Sequence, residues 1–121
     1  MGVKYIISES RLNNLIFSYL DGQDLHTWDI ENGEFNVADG EYGKDVIQFR
    51  KHPYLTNDDK FFEYIYISDY LVTKLTHIFG IKSEDSIESI INWFNQKYNK
   101  ELTIKDFDWM EEDYEDEDED Y

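Results

Sequence analysis

The sequence has no cysteine, a single proline and no long hydrophobic run. Without cysteine the chain forms neither a disulfide framework nor a thiolate metal site. No apolar stretch is long enough for a signal peptide or a membrane-spanning helix, so we expect a cytoplasmic protein. A length of 121 residues suits one domain rather than two.

Basic residues are scarce, with 11 Lys and Arg against 28 Asp and Glu and a net charge of −17. This charge disfavours direct binding to nucleic-acid phosphates or to an anionic membrane surface, because both would repel the protein. Nine of the acids lie in the last eleven residues, so residues 1–110 carry a charge of only −8. We therefore predict a globular domain over residues 1–110 and an acidic, disordered tail over residues 111–121.

The patterns that mark catalytic and metal sites are also missing. There is no Gly-x-Ser-x-Gly elbow, no glycine-rich phosphate loop and no dinucleotide-binding fingerprint. The three histidines, His26, His52 and His77, are far apart in the sequence, whereas a zinc site on a helix needs two histidines on one face. We expect a protein that is not an enzyme and that holds no metal and no cofactor.

Three segments have the apolar spacing of amphipathic helices. The residues expected to cap their N-termini are Ser8 or Ser10, Ser68 and Ser83. Gly22 and Gly80 follow the first two helices and suit left-handed C-terminal caps. The apolar faces comprise Leu12, Leu15, Ile16, Tyr19 and Leu20 in the first helix, Leu71, Val72, Leu75, Ile78 and Phe79 in the second, and Ile87, Ile90, Ile91, Phe94 and Tyr98 in the third.

The remaining sequence alternates as β-strands do. Trp28 and Ile30 alternate with polar residues before Asn32-Gly33, and Phe35 and Val37 do so after it, which predicts a hairpin with a type I′ turn. Further strands are predicted at residues 5–7, 46–49, 61–67 and within 102–109, with a turn at 39–43 and a loop at 51–60. Together these elements predict a single small α+β domain, in which an antiparallel sheet of about four to six strands packs with three helices.

The segment at residues 61–67 reads FFEYIYI and is apolar on both faces apart from Glu63. Its two faces are Phe62, Tyr64 and Tyr66 on one side and Phe61, Ile65 and Ile67 on the other. One interpretation is a central strand that is covered by helices on both sides. The other is an exposed tyrosine face for a protein partner, because tyrosine offers a large contact area with few rotatable bonds.

The acidic tail has two interpretations. The residues assigned to partner binding are Glu111, Glu112, Asp113, Tyr114, Glu115, Asp116, Glu117, Asp118, Glu119 and Asp120. An extended chain advances about 3.3 Å per residue, which is close to the ~3.4 Å between charges along one DNA strand. The tail could therefore imitate a nucleic acid in a basic channel of another protein, with Glu84, Asp85 and Glu88 extending the acidic surface. Alternatively, the tail only keeps the protein solvated. It has no glycine and no following helix, so it does not match a calcium loop.

Three stretches carry a resemblance to a known group of proteins: KYIISESRLNNLIFSYLD, ISDYLVTKLTHIFG and INWFNQKYN. They resemble short uncharacterised proteins of marine bacteriophages and viral metagenomes, in outline over residues 4–110. The resemblance implies a setting in an infected bacterial cytoplasm and brings no site residues with it. We expect a phage-type accessory protein that binds a protein partner with a basic surface. The specific form of this hypothesis is nucleic-acid mimicry. The alternative is a virion or assembly protein that buries its aromatic strand face in an oligomer.

Overall fold

The computed structural model describes residues 9–40, 43–53 and 61–111. In chain order the elements are α1 (Glu9–Asp21), β1 (Leu25–Asp29), β2 (Phe35–Asp39), β3 (Asp45–Pro53), β4 (Phe61–Ile67), α2 (Asp69–Phe79), α3 (Ser83–Tyr98), a short 3-10 helix (Ile104–Asp106) and β5 (Phe107–Trp109). The predicted strand at residues 5–7 and the tail from residue 112 onward lie outside the described residues. Among the described helices, none combines the length and the apolar character that crossing a bilayer requires.

The five strands form one sheet in the order β1-β2-β3-β4-β5. The strands β1 to β4 pair as antiparallel neighbours. In contrast, β5 lies parallel to β4, with Phe107 opposite Ile65, because α2 and α3 carry the chain back to the starting end of β4 before β5 begins. The predicted α+β domain with three helices is confirmed, and its sheet is mixed rather than antiparallel throughout.

All three helices pack on one face of the sheet. The buried core contains Ile16 and Leu20 of α1, Leu71, Val72 and Leu75 of α2, Ile87, Ile90, Ile91 and Phe94 of α3, and Phe35, Val37, Ile47, Phe49, Ile65 and Ile67 of the sheet. These sheet residues share one face, since the strand pairing places them opposite one another. The rings of Phe35, Phe49 and Phe94 meet there with centroids 5.3, 5.6 and 5.9 Å apart. Within the described residues, β4 is thus covered by helices on one side only.

The ends of α2 agree with the prediction. The Leu71 N–H donates to Ser68 Oγ at 3.2 Å, which satisfies one of the free donors in the first turn. Gly80 follows the helix with φ 62°, and its N–H donates to the carbonyl of Thr76 at 2.9 Å. Both ends of α2 are therefore fixed by local bonds that the sequence indicates.

Three other helix ends differ from the prediction. The helix α3 begins at Ser83 itself, and Lys82 before it provides no side-chain cap. Gly22 does not take the left-handed conformation. Its N–H still bonds to carbonyls of the last turn of α1, so this helix ends without a positive φ. Ser10 lies inside α1 rather than before it, and Ser8 lies outside the described residues.

One predicted boundary of the core and one of the sheet also differ from the structure. Leu15 and Ile78 belong to the predicted apolar faces but are exposed, because those faces are wider than the surface that the sheet and the neighbouring helices cover. The predicted loop at 51–60 begins later than expected, since residues 51–53 continue β3 and pair with residues 61–63 of β4.

Candidate functional site

The sheet has a second face, opposite the helices, on which aromatic and polar side chains are collected. We call it the open face, and it comprises Trp28, Asn36, Gln48, Arg50, His52, Phe62, Tyr64, Tyr66 and Asp108. Strand pairing aligns one row across all five strands: Trp28, Asn36, Gln48, Tyr66 and Asp108. No described helix packs on this face.

A β-bulge beside the first hairpin sets the position of Trp28. The Asn32-Gly33 turn closes as predicted, with φ of 58° and 83° and with the Glu34 N–H donating to the Glu31 carbonyl at 3.0 Å. The Ile30 N–H donates to the Glu34 carbonyl at 2.9 Å. Ile30 and Glu31 therefore both face Glu34, and two residues opposite one constitute a bulge.

The bulge determines which side chains of β1 enter the core. Without it, a two-residue turn would pair Trp28 with Val37 on the helix-covered face, because a shift of one residue turns a whole strand over. With it, Trp28 lies opposite Asn36, and Thr27 lies opposite Val37. Trp28 and Ile30 are consequently 49% and 46% exposed, although their alternation in the sequence groups them with the buried Val37.

The rings of β4 form a continuous line along the open face. Ring centroids are 5.9 Å apart between Phe62 and Tyr64, and 6.5 Å apart between Tyr64 and Tyr66. From β3, His52 packs against Tyr64 with a centroid distance of 5.1 Å. Phe62 is exposed and the two tyrosines are half-buried. Neighbouring rings of this kind present a large and rigid apolar area to a partner.

Hydrogen bonds hold the polar centre of the open face. Arg50 Nη1 donates to the carbonyls of Phe49 at 3.0 Å and Phe35 at 3.3 Å, which fixes one side of its guanidinium to the sheet. Asn36 Nδ2 donates to Asp45 Oδ2 at 2.8 Å. The Asn36 Oδ1 atom is buried and accepts from no described group. The centre of the open face is thus ordered, and one of its acceptors is unpaired within the described residues.

An acidic depression of about 360 Å³ lies at the β5 end of the open face. It is lined by Gln48, Tyr66, Asp108, Trp109 and Glu111. Burial raises the pKa of the Tyr66 phenol above its ordinary value, and the negative charge of Asp108 raises this pKa further. At neutral pH the phenol keeps its proton, as an ordinary tyrosine does, and it lies beside two carboxylates. This arrangement suits a cationic group, which the carboxylates attract, with a neutral ring beside it.

The histidines do not gather into a metal site. His26 Nε2 lies 2.9 Å from Asp24 Oδ1, His52 packs on Tyr64, and His77 is exposed on α2. In residues 9–40, 43–53 and 61–111, no three His, Asp or Glu side chains are placed to hold one metal ion.

The structure describes one of the predicted partner-binding residues of the tail. Glu111 is exposed and borders the depression, while residues 112–120 lie outside the described residues. The α3 acids Glu84, Asp85 and Glu88 are exposed in the helical layer, on the other side of the sheet from Tyr66. The acidic groups of α3 and of the depression are thus not brought together on one surface.

The sequence pattern of residues 61–67 indicates Tyr64 and Tyr66 as part of a candidate partner-binding face. It does not indicate Trp28, Gln48 or Arg50. Their position on the open face depends on the bulge and on the pairing register, and the alternation of residues 61–67 is the one local signal for this face. No protein-family model, curated protein or solved structure matches the chain. The open face is therefore interpreted from its own residues and geometry.

Proposed function

We propose that this chain is a non-enzymatic accessory protein that binds a protein partner through the open face, and that the partner presents basic residues there. The observation that carries the proposal is the line of rings of Phe62, Tyr64 and Tyr66 on a face that no described helix covers. Removing such rings from water is favourable, and aromatic side chains are enriched at protein interfaces.

The charge at the edge of the open face favours a basic partner. Asp108 and Glu111 both border the depression beside Tyr66. From Glu111 the chain continues into the sequence EDYEDEDEDY, so the density of acids increases along the sequence after Glu111. Complementary charge accelerates association and makes the affinity depend on salt.

A second copy of the chain is the alternative occupant of the open face. In that case the protein would be an assembly component whose aromatic strand face is buried in an oligomer. Each copy carries a charge of −17, and this repulsion opposes association of the chain with itself. We therefore favour a partner of opposite charge.

Nucleic-acid mimicry by the tail is the specific form of this proposal, and its support is the charge density of residues 111–121. Deleting residues 112–121 leaves Glu111 and the open face in place. If the tail occupies a basic channel, we expect the deletion to lower the affinity for the partner at least about tenfold and to flatten its salt dependence. Unchanged affinity and unchanged salt dependence would remove mimicry and leave binding by the open face.

Affinity capture with matched variants tests the proposal. Wild type, Tyr64→Ser, Tyr66→Ser and the control Tyr70→Ser are each used as bait in bacterial lysate, since Tyr70 is 53% exposed but lies on α2 in the helical layer. We expect a protein that is retained by wild type and by the control, released by high salt and lost from both open-face variants. The same proteins on all four baits would contradict the proposal. A wild-type dimer that Tyr66→Ser dissociates would identify a second copy as the occupant.

A further inference from the structure

We infer that the outer edge of β1, Leu25–Asp29, binds an extended basic segment of a partner protein as an added β-strand. The inference rests on the proposed function for the existence of a protein partner. It adds the place at which a segment of that partner binds, the main-chain hydrogen bonds that hold it and the charge that selects it.

Backbone bonds at both ends of β1 show which of its groups point outward. The Gly40 N–H donates to the Asp24 carbonyl at 2.6 Å, and Ile30 bonds across the hairpin at 2.9 Å. In an antiparallel pair, residues that bond to the partner strand alternate with residues that point away from it. Asp24 and Ile30 bond inward, so Thr27 and Asp29 direct their N–H and C=O groups away from β2.

These outward groups lie on an end strand of the sheet. The Leu25 N–H is used locally, since it donates to the Gln23 carbonyl at 2.9 Å. For Thr27 and Asp29, the part of the chain that the structure describes offers no backbone partner. An edge strand with consecutive outward groups is a template for another strand, and main-chain hydrogen bonds provide the affinity in such complexes.

The side chains at this edge join it to the open face. Trp28 and Ile30 are both about half exposed, and the row of Trp28 continues across the sheet through Asn36 and Gln48. Alternate side chains of an added strand would lie beside Trp28, at the distance at which cross-strand pairs stabilise a sheet. The edge of β1 and the open face thus form one continuous surface.

The acids in the stretch of sequence that contains β1 favour a basic added segment. Between Arg11 and Lys44 the sequence contains no Lys or Arg. The acids of this interval are Asp21, Asp24, Asp29, Glu31, Glu34, Asp39 and Glu41. Residues 12–43 therefore carry −7, which is nearly the whole charge of −8 on residues 1–110. Like charges opposite one another destabilise a sheet, so the same acids disfavour pairing of β1 with β1 of a second copy.

Synthetic peptides test the inference without a known partner. The probe is a short peptide of alternating lysine and valine, titrated into the full-length protein by calorimetry at low and at moderate salt. One matched peptide has glutamate in place of lysine, and the other keeps lysine but is N-methylated at every peptide bond. We expect only the unmethylated lysine peptide to bind, because strand addition needs both the charge and the main-chain donors.

Two variants of Thr27 test the main-chain hydrogen bonds between the peptide and β1 by changing the protein instead of the peptide. Thr27→Pro removes an outward N–H, and proline is tolerated on edge strands at such positions. Thr27→Val is the matched control, because both variants lose the hydroxyl whose Oγ1 lies 3.2 Å from Tyr98 Oη. We expect Thr27→Pro to weaken binding of the lysine peptide at least about tenfold and Thr27→Val to change it less than about twofold.

A double variant tests the charge requirement. Asp29→Asn combined with Glu31→Gln should weaken binding of the lysine peptide, whereas Asp85→Asn combined with Glu88→Gln on the helical layer should leave it unchanged. The four acids are all exposed and each double variant removes two charges, so the comparison isolates where the charge lies. Equal losses in both proteins would show a general effect of net charge and would overturn the assignment to the edge of β1.

Other outcomes also decide the question. Equal binding of the methylated and unmethylated lysine peptides, or no binding of any peptide, would overturn strand addition, even if Thr27→Pro fails to fold. The proposed function fails separately, in the capture experiment with Tyr64→Ser and Tyr66→Ser. A partner that is retained by Thr27→Pro and lost from Tyr66→Ser would leave the open face as the binding site and remove the added strand.

Discussion

On one side of β4, Ile65 and Ile67 are fully buried against the helices, whereas on the other side Tyr64 and Tyr66 are only half-buried. One strand thus contributes apolar side chains to two surfaces with different roles. The helix-covered face provides the burial that stabilises the fold. The open face carries aromatic rings that stay partly exposed, and it is ordered by ring contacts and by the hydrogen bonds of Arg50.

Among the variants that distinguish the two faces, we expect the largest loss of stability for Phe49→Ala. The Phe49 ring is fully buried, and Lys100 Nζ lies 4.5 Å from its centroid. We expect the free energy of unfolding to fall by about 3–5 kcal/mol, because the truncation leaves a cavity among packed rings. The control Tyr64→Ala on the open face should cost less than about 2 kcal/mol, since its site is partly solvated. Chemical denaturation at pH 7 measures both, and equal losses would show that the two faces contribute equally to stability.

A smaller loss is expected for Asn95→Ala, which tests how the helical layer positions the edge of the open face. Asn95 Nδ2 donates to the Leu102 carbonyl and its Oδ1 accepts from the Leu102 N–H, both at 2.9 Å. Removing the amide leaves two backbone groups unpaired, which should cost about 1–3 kcal/mol. The neighbouring exposed residue provides the control Gln96→Ala, with a change within about 0.5 kcal/mol. Similar denaturation midpoints for the two variants would show that the amide does not tie α3 to β5.

Deleting Glu31 should have a still smaller effect on stability, and it tests which face of the sheet Trp28 occupies. The deletion removes the bulge and leaves Ile30 and Glu34 on either side of the two-residue turn, so Trp28 stays opposite Asn36. We expect a change in unfolding free energy within about 1 kcal/mol and fluorescence of an exposed Trp28 in a Trp93→Phe, Trp109→Phe background. A blue-shifted emission would instead show that β1 has turned over.

The smallest expected effect is a loss of stability at alkaline pH that depends on Tyr66. The pKa of Tyr66 is raised above its ordinary value of 10.0, chiefly by burial and then by Asp108. Above pH about 10 the unfolded chain ionises this phenol more readily than the folded protein does, so its contribution to stability is lost as pH rises through the folded pKa. We expect the stability of wild type to fall more than that of Tyr66→Phe between pH 9 and 11. Parallel curves would show that the pKa of Tyr66 is not raised in the folded protein.

Much of the fold follows from local patterns. The caps of α2 and the Asn32-Gly33 turn were predictable, because each depends on bonds between residues that are close in sequence. The direction of β5 was not predictable, since alternation marks a strand without showing whether it runs parallel or antiparallel to its neighbour. The exposure of Ile78 was not predictable either, because helical spacing shows where an apolar face lies and not how much of it is covered.

The candidate site was harder to predict than the fold. The pattern of residues 61–67 shows two apolar faces but does not indicate which of them the helices cover. The position of Trp28 depends on one extra residue in the hairpin, and both registers are compatible with the sequence. For Gln48 and Arg50, only the pairing of β3 with its neighbours shows that they share a surface with Tyr66.

The parallel pairing of β5 with β4 has a consequence for folding kinetics. The strands β1 to β4 each pair with a neighbour in sequence, whereas β5 reaches β4 only after α2 and α3 have folded back. Closing this longer loop costs more chain entropy, and distant contacts form late. Substitutions in β5 should therefore accelerate unfolding and leave the folding rate nearly unchanged, as stopped-flow measurements on Trp109→Ala can test. We therefore expect the acidic edge around Asp108 and Glu111 to be the part of the open face that assembles last and is lost first.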